Sequence, residues 1–283
     1  MLAFAGNSIL CRLALSHTSI DPASFTAVRL LSGALVLWVA VRIRGGNSSG
    51  SGKSASSGNS ASSRNSAGSG NWVSALTLWA YAAAFSFAYV GLSAATGALL
   101  LFGAVQATML GVGLMRGERL NARQIIGVSV AILGLVALLL PGLSAPPLGS
   151  AALMLGAGVA WGIYSLHGRR AGDSARVTAG NFLRAAPVAL VVTLVWSHLP
   201  LDPKGMMYAI LSGALTSGLG YTIWYAVLPS LGSTTAAIVQ LSVPVIATLG
   251  GSTLLGEPLT GRVILASGAT LGGIAIVILA RRR

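Results

Sequence analysis

Long apolar stretches alternate with short polar breaks along nearly the whole chain. Roughly 20 apolar residues cross a bilayer as a helix. Ten stretches approach that length, at about 1–17, 23–42, 72–91, 93–115, 122–140, 148–167, 177–197, 205–227, 233–254 and 262–280. They are rich in Gly, Ala and Ser and hold Pro187 and Pro244 in mid-segment, which membrane helices tolerate where neighbours cover the freed backbone. The first stretch is several residues short and carries Arg12. It lacks a basic start and a small-residue cleavage site, so no cleaved signal peptide is expected. Either this helix is shortened or its true start lies upstream of Met1. Residues 45–71 break the pattern, being almost wholly Gly, Ser, Asn and Ala. Such a segment cannot bury a core and reads as a flexible cytoplasmic loop, either a tolerated insertion or a regulatory segment.

The pattern repeats. Gly117-Glu118-Arg119-Leu120-Asn121-Ala122-Arg123 returns 139 positions later as Gly256-Glu257-Pro258-Leu259-Thr260-Gly261-Arg262. The same offset pairs Leu92 with Leu231, Thr96 with Thr235, Gly111 with Gly250 and Gly134 with Gly273. A second offset, 155, pairs Arg29 with Arg184 and Ala34-Leu35-Val36 with Ala189-Leu190-Val191. Two halves follow, 1–141 and 148–283, each with five segments. Five is odd, so the second half enters the membrane upside down relative to the first. The expected fold is all-α, with ten transmembrane helices in two inverted five-helix repeats, an architecture that places substrate near the midplane between the repeats. Gly113…Gly117, Gly158…Gly162 and Gly268…Gly272 have the small-xxx-small spacing of close helix contacts, read as contacts within one chain in preference to dimerisation.

Composition agrees: 54% of residues are hydrophobic and 8% charged, against about 25% charged in soluble domains. The mean hydropathy is +0.79. The net charge of +13 lies in short loops, not on one face, and so argues against nucleic acid. With the N-terminus in the cytoplasm, the inner loops receive thirteen of the Lys and Arg residues and the outer loops two, Lys204 and Arg262. This positive-inside bias puts both termini in the cytoplasm. The single cysteine, Cys11, excludes an internal disulfide and a cysteine metal cluster. It reads as a small packing residue. No metal or cofactor is expected.

Phe25-Thr26-Ala27-Val28-Arg29 opens the second segment, Gly117-Glu118 and Gly256-Glu257-Pro258-Leu259 separate the last two segments of each half, and Ala160-Trp161-Gly162 lies in the sixth. In these motifs the chain resembles the EamA-type family of the drug/metabolite transporter superfamily, over almost its whole length outside 45–71. The first segment has Ala5-Gly6 where that family usually has Trp-Gly. The resemblance implies a secondary transporter of small organic solutes, often an exporter of amino acids or related metabolites, working by alternating access in the bacterial inner membrane. A channel or a non-transporting sensor is the alternative, although no charge ring or repeated filter loop is visible. A membrane enzyme would need a nucleophile or metal constellation, and one Cys with three scattered His residues supplies none. The expected partners are a small-molecule substrate and the lipid bilayer, with the chain a monomer or homodimer.

Arg12, Arg29 and Arg184 fall within predicted spans, with no Asp or Glu deep in any span to pair with them. A charge at mid-bilayer costs roughly 2.5–3.5 kcal/mol on insertion scales. Two readings fit these arginines: they snorkel toward headgroups or cap carbonyls, or they hold the carboxylate of an anionic or zwitterionic substrate with a planar fork of donors. Asn7, Gln106, Trp161, Tyr164, Asn181 and Gln240 are the remaining candidates for the site. Trp161 and Tyr164 suit a cavity wall. Gln240 lies four residues before Pro244, whose missing amide leaves the Gln240 carbonyl free within the ninth helix, either as a gate or as a fixed kink. Tyr221, Trp224 and Tyr225 share a helix face and fit either this cavity or an interfacial aromatic belt. The Gly-Glu pairs read as carboxylates capping the start of a helix. With no buried acid, coupling through a membrane carboxylate is not expected.

Overall fold

A computed structural model describes residues 1–283 except 48–69, 118, 141–144, 169–172, 197–201, 228–229, 231–238 and 281–283. Glu118 and most of loop 45–71 therefore lie outside the described residues. Everything regular among the described residues is helical. The helices are α1 (Leu2–His17), α2 (Pro22–Asn47), α3 (Trp72–Tyr89), α4 (Ala94–Met115), α5 (Ala122–Leu139), α6 (Leu148–Gly168), α7 (Ser174–Trp196), α8 (Pro203–Leu211), a π-helical segment (Ser212–Leu219), α9 (Gly220–Val227), α10 (Ser242–Leu255) and α11 (Gly261–Ala280). Six of them hold stretches long and apolar enough to cross a membrane, with mean hydropathy from 1.3 to 2.3. Large apolar side chains cover the outside: Leu194, Val195 and Leu265 are each more than 70% exposed. A water-facing surface does not carry so many, and the protein is an integral membrane protein.

The helix starts are written in the sequence. Asn71 Oδ1 accepts from Ser74 N at 2.8 Å, Ser93 Oγ from Thr96 N at 3.2 Å, and Asn121 forms a reciprocal capping box with Gln124. Gly117 and Gly256 take left-handed φ angles of 89° and 65° just beyond α4 and α10, a conformation that costs a residue with a Cβ. This explains the glycine of each Gly-Glu pair. Glu257 does cap a helix start, but not that of the helix that follows it. Thr260 Oγ1 accepts from Val263 N at the start of α11, while Glu257 Oε2 caps the start of α4 by accepting from Ala94 N at 2.8 Å.

Two further expectations change. The break before α10 falls at Leu241, so Pro244 stands in the first turn of that helix, where no intrahelical amide bond is lost. Val239 and Gln240 are themselves helical up to that break, so Gln240 ends one helical stretch and Pro244 stands in the first turn of the next. Among the small-xxx-small spacings, Gly158 and Gly162 do face another helix, since a Cβ on either would press on Leu101, Ala104 or Thr108 of α4. Gly268 and Gly272 face open space.

The most extensive crossing joins α5 to α11. A Cβ at Gly127 would come 2.6 Å from Gly273 O, and one at Gly134 would come 2.8 Å from Thr270 N. The ends are tied reciprocally, Asn121 Nδ2 to Ala280 O at 3.1 Å and Arg262 Nη1 to Leu140 O at 2.6 Å. The start of each helix thus lies beside the end of the other, so they run antiparallel.

At the start of α8, Asp202 accepts from Ser19 N and Ser19 Oγ as well as from Lys204 N and Gly205 N. The backbone amide of Ser19, then that of Gly205, hold its carboxyl below the usual carboxylate range. A carboxyl depressed in the folded state stabilises the fold above its unfolded pKa. That contribution is lost as pH falls through the folded value. Detergent-solubilised protein should therefore lose melting temperature as pH drops below about 4, and Asp202→Asn should flatten that slope.

Candidate functional site

The interior of the molecule is organised around Arg29. Its side chain, on α2, is 1% exposed. Nε donates to Ser217 Oγ at 3.2 Å, and Nη2 reaches Tyr81 Oη at 3.3 Å and Tyr221 Oη at 3.4 Å. The guanidinium carbon lies 5.3 Å from the Tyr81 ring centre and 5.1 Å from that of Phe85, within cation–π range. Its Nη1 is buried with no hydrogen-bond partner among the described residues. Among the described residues the ion pairs are Arg12–Glu257 and Arg176–Asp173, so no carboxylate of these residues neutralises Arg29. An oriented, desolvated cation with donors to spare attracts an anion strongly.

Three other elements complete the polar centre. Asn7 of α1 donates from Nδ2 to Tyr81 Oη at 3.3 Å and accepts at Oδ1 from Ser212 Oγ at 2.6 Å and Thr216 Oγ1 at 3.4 Å. Ser212, Thr216 and Ser217 all belong to the π-helical segment. Short π segments inside helices recur at functional sites, because i→i+5 bonding turns side chains out of the α-helical register. Here Ser212 and Ser217, five positions apart, both serve the site. The segment lies close to α2 because Gly213 and Gly33 carry no Cβ: a methyl at 213 would collide with the backbone of Arg29.

Aromatic rings wall the centre. Trp161 of α6 has its ring centre 4.8 Å from both Tyr81 and Tyr221, 5.6 Å from Tyr164 and 6.0 Å from Phe4. Trp224 stands 5.9 Å from Phe4. Tyr221 and Trp224 are buried, which favours the cavity over the interfacial belt for them. The side chain of Tyr225 lies outside the described residues.

Arg29, Asn7 and Trp161 thus meet in one cluster, drawn from both sequence halves. Tyr164 joins through Trp161, and Asn181 Nδ2 lies 3.4 Å from Tyr164 Oη while its Oδ1 accepts from Asn71 N at 3.1 Å. Arg184 bonds the carbonyl of Gly180, one turn back on α7, at 2.9 Å. Its sequence equivalence to Arg29 therefore does not carry over to the cluster's hydrogen bonds. Gln106 is half-buried, its Nε2 without a partner among the described residues, and Gln240 is buried ahead of α10. No hydrogen bond among the described residues joins either to Arg29.

Arg12 is paired, contrary to the expectation that the membrane arginines lack acids. Its Nε meets Glu257 Oε1 at 3.0 Å, and Nη1 donates to Tyr89 O and Val90 O at 2.9 and 3.2 Å. A carboxylate from a loop of the second half folds back onto α1, which no spacing within either half announces. The site residues not singled out beforehand are Tyr81, Phe85, Ser212, Thr216 and Ser217. The four-residue spacing of Tyr81, Phe85 and Tyr89 on one face of α3 is the signal that marks the first two.

Residues 148–279 match the family model of the EamA-like transporter family. The chain is similar to the uncharacterized protein PA1977 of Pseudomonas aeruginosa, 53% identical over 282 residues, covering 99% of this chain and 92% of that one. It is also similar to the threonine/homoserine exporter RhtA of Salmonella typhimurium, 37% identical over 151 residues, half the length of each chain. A crystal structure with 19% identity superposes with a TM-score of 0.67 over 100% of this chain and 98% of its own, a likeness of fold alone. The chain belongs to the EamA-like transporter family and is a membrane transporter.

Proposed function

We propose that the protein is a secondary transporter that exports small organic metabolites bearing a carboxylate, amino acids and related solutes among them, across the bacterial inner membrane. One observation carries this reading: the fully buried Arg29, whose Nη1 has no partner and which has no carboxylate beside it among the described residues. A substrate carboxylate supplies the missing counter-charge. Asn7 and the Tyr81, Trp161 and Tyr221 rings form the rest of its surroundings.

Transport proceeds by alternating access between two inverted five-helix repeats, 1–141 and 148–283. The antiparallel, reciprocally tied α5 and α11 support this arrangement. Gly134 against Thr270 and Gly273 against Ala131 are the same contact when the two halves are exchanged at an offset of 139. A site built from both halves suits a rocking motion of one against the other. The positive-inside bias supports both termini lying in the cytoplasm, an orientation in which the Arg12–Glu257 pair is at the outer end.

Counterflow in proteoliposomes tests the reading. Vesicles loaded with unlabelled threonine, homoserine and other amino acids should accumulate labelled solute saturably, in proportion to the internal pool. Flux without saturation or counterflow would identify a channel instead. No flux with any carboxylate-bearing solute, from protein that melts cooperatively, would sink the assignment.

A further inference from the structure

The Arg12–Glu257 pair lies apart from the Arg29 centre, and it joins the two halves of the chain. Arg12 belongs to α1. Glu257 belongs to the turn between α10 and α11. The left-handed Gly256 and a bond from Glu257 N to Gly251 O at 3.1 Å aim that turn back against the bundle. The carboxylate then lies so close to α10 that a Cβ at Gly251 would come within 2.7 Å of Oε2. One glutamate thus holds the side chain of α1 and the first amide of α4, while Arg12 holds the last carbonyls of α3. Three elements of the first half are fastened to one residue of the second.

A row of small polar groups connects this clasp to Arg29. Ser8 is one turn from Arg12 on α1, 1% exposed, and lies beside Tyr89. Its Oγ has no partner at hydrogen-bond length among the described residues. Cys11 is fully buried beside Ser86, within electrostatic range of both Arg12 and Arg29. Thr26, one turn before Arg29 on α2, donates to Ser86 Oγ at 2.9 Å. Lipid-facing positions would not hold these groups, and polar residues inside a membrane bundle mark a solute pathway.

We propose that the outer route to the Arg29 site runs past Ser8, Cys11, Thr26 and Ser86, and that the Arg12–Glu257 pair is the gate that closes it. Opening the outer side separates α1 from the α10–α11 turn and releases the Ala94 amide in the same step. The gate rests on the transporter reading above, but its test does not need the substrate.

Cys11 is the sole cysteine of the chain and lies beneath the clasp, so the native protein carries its own reporter. Cells expressing the protein are treated with a membrane-impermeant thiosulfonate, and the labelled fraction of the purified protein is counted by intact mass. Arg12→Ala and Glu257→Gln should each raise the labelling rate about tenfold, a coupling in the usual range for linked sites, and the gain should be confined to the outer face. Gly251→Ala, which pushes the Glu257 carboxylate aside without removing a charge, should give a smaller gain in the same direction. Rates within twofold of the unsubstituted protein in both charge variants overturn the gate. So does an equal gain in inside-out vesicles, which would report a loosened fold. Counterflow that persists with unchanged Cys11 labelling removes the gate and leaves the transporter; increased labelling without any counterflow does the reverse.

Discussion

Replacing Arg29 with glutamine is expected to abolish transport while leaving the folded protein as stable as before, or more so. The two effects separate because they have different origins. Burial of a charge in the bundle costs several kcal/mol that its hydrogen bonds offset only in part. Arg29 has three such bonds, all to neutral hydroxyls, and one buried nitrogen with none. Glutamine removes the charge and keeps a polar group near Tyr81. Against this, losing one member of a buried charge pair with the substrate costs about 2–5 kcal/mol of binding, a loss of at least about thirtyfold in affinity.

Lysine should not rescue. It restores the charge as a compact point, without the fork that reaches Ser217, Tyr81 and Tyr221 together. Thermal unfolding and counterflow of the same preparations read the outcome. A fall in melting temperature of roughly 5 °C or more, on the order of 2 kcal/mol for a chain of this size, together with surviving transport would make Arg29 a structural residue.

The helices were legible in the sequence because hydropathy acts locally: the predicted 93–115 and 122–140 stand within a residue or two of Ala94–Met115 and Ala122–Leu139. Arg29 was legible for the same reason, since a charge in an apolar run is visible without any partner. What escaped is what depends on pairing at a distance. Arg12 and Glu257 are 245 positions apart, and a glutamate at a loop edge looks like a cap for its own helix until the chain folds back. Arg29 and Arg184 correspond at the offset of 155, yet Arg29 ends among hydroxyls from three elements while Arg184 bonds a carbonyl of its own helix. The π-helical segment was unreadable for another reason. Its Ser212–Leu219 stretch of Ser, Gly, Ala, Leu and Thr suits an α-helix equally well, and nothing in that composition announces how closely Gly213 lies against α2.

That packing makes the second large effect a contrast between two glycines of one segment. Gly213→Ala is expected to destabilise the protein and to cripple transport, whereas Gly218→Ala should be nearly silent. Both changes add one methyl to a helical position, and propensity alone would favour each by roughly 1 kcal/mol. The space around them differs. A Cβ at 213 falls on the carbonyl of Arg29 and the hydroxyl of Ser32, and the carbonyl belongs to helix backbone that cannot turn aside. A Cβ at 218 meets Gly213 O at 3.2 Å and Gly33 O at 3.5 Å, which a shift of a few tenths of an ångström relieves. Overpacking of the first kind costs about 1–3 kcal/mol. It also moves the segment away from α2, stretching the 3.2 Å bond from Arg29 to Ser217 and drawing Ser212 and Thr216 off Asn7. Gly213→Ala should therefore weaken substrate affinity by more than its melting temperature alone would suggest. Equal behaviour of the two variants would mean that the π segment does not press on α2, and that the donors around Arg29 owe their placement to some other contact.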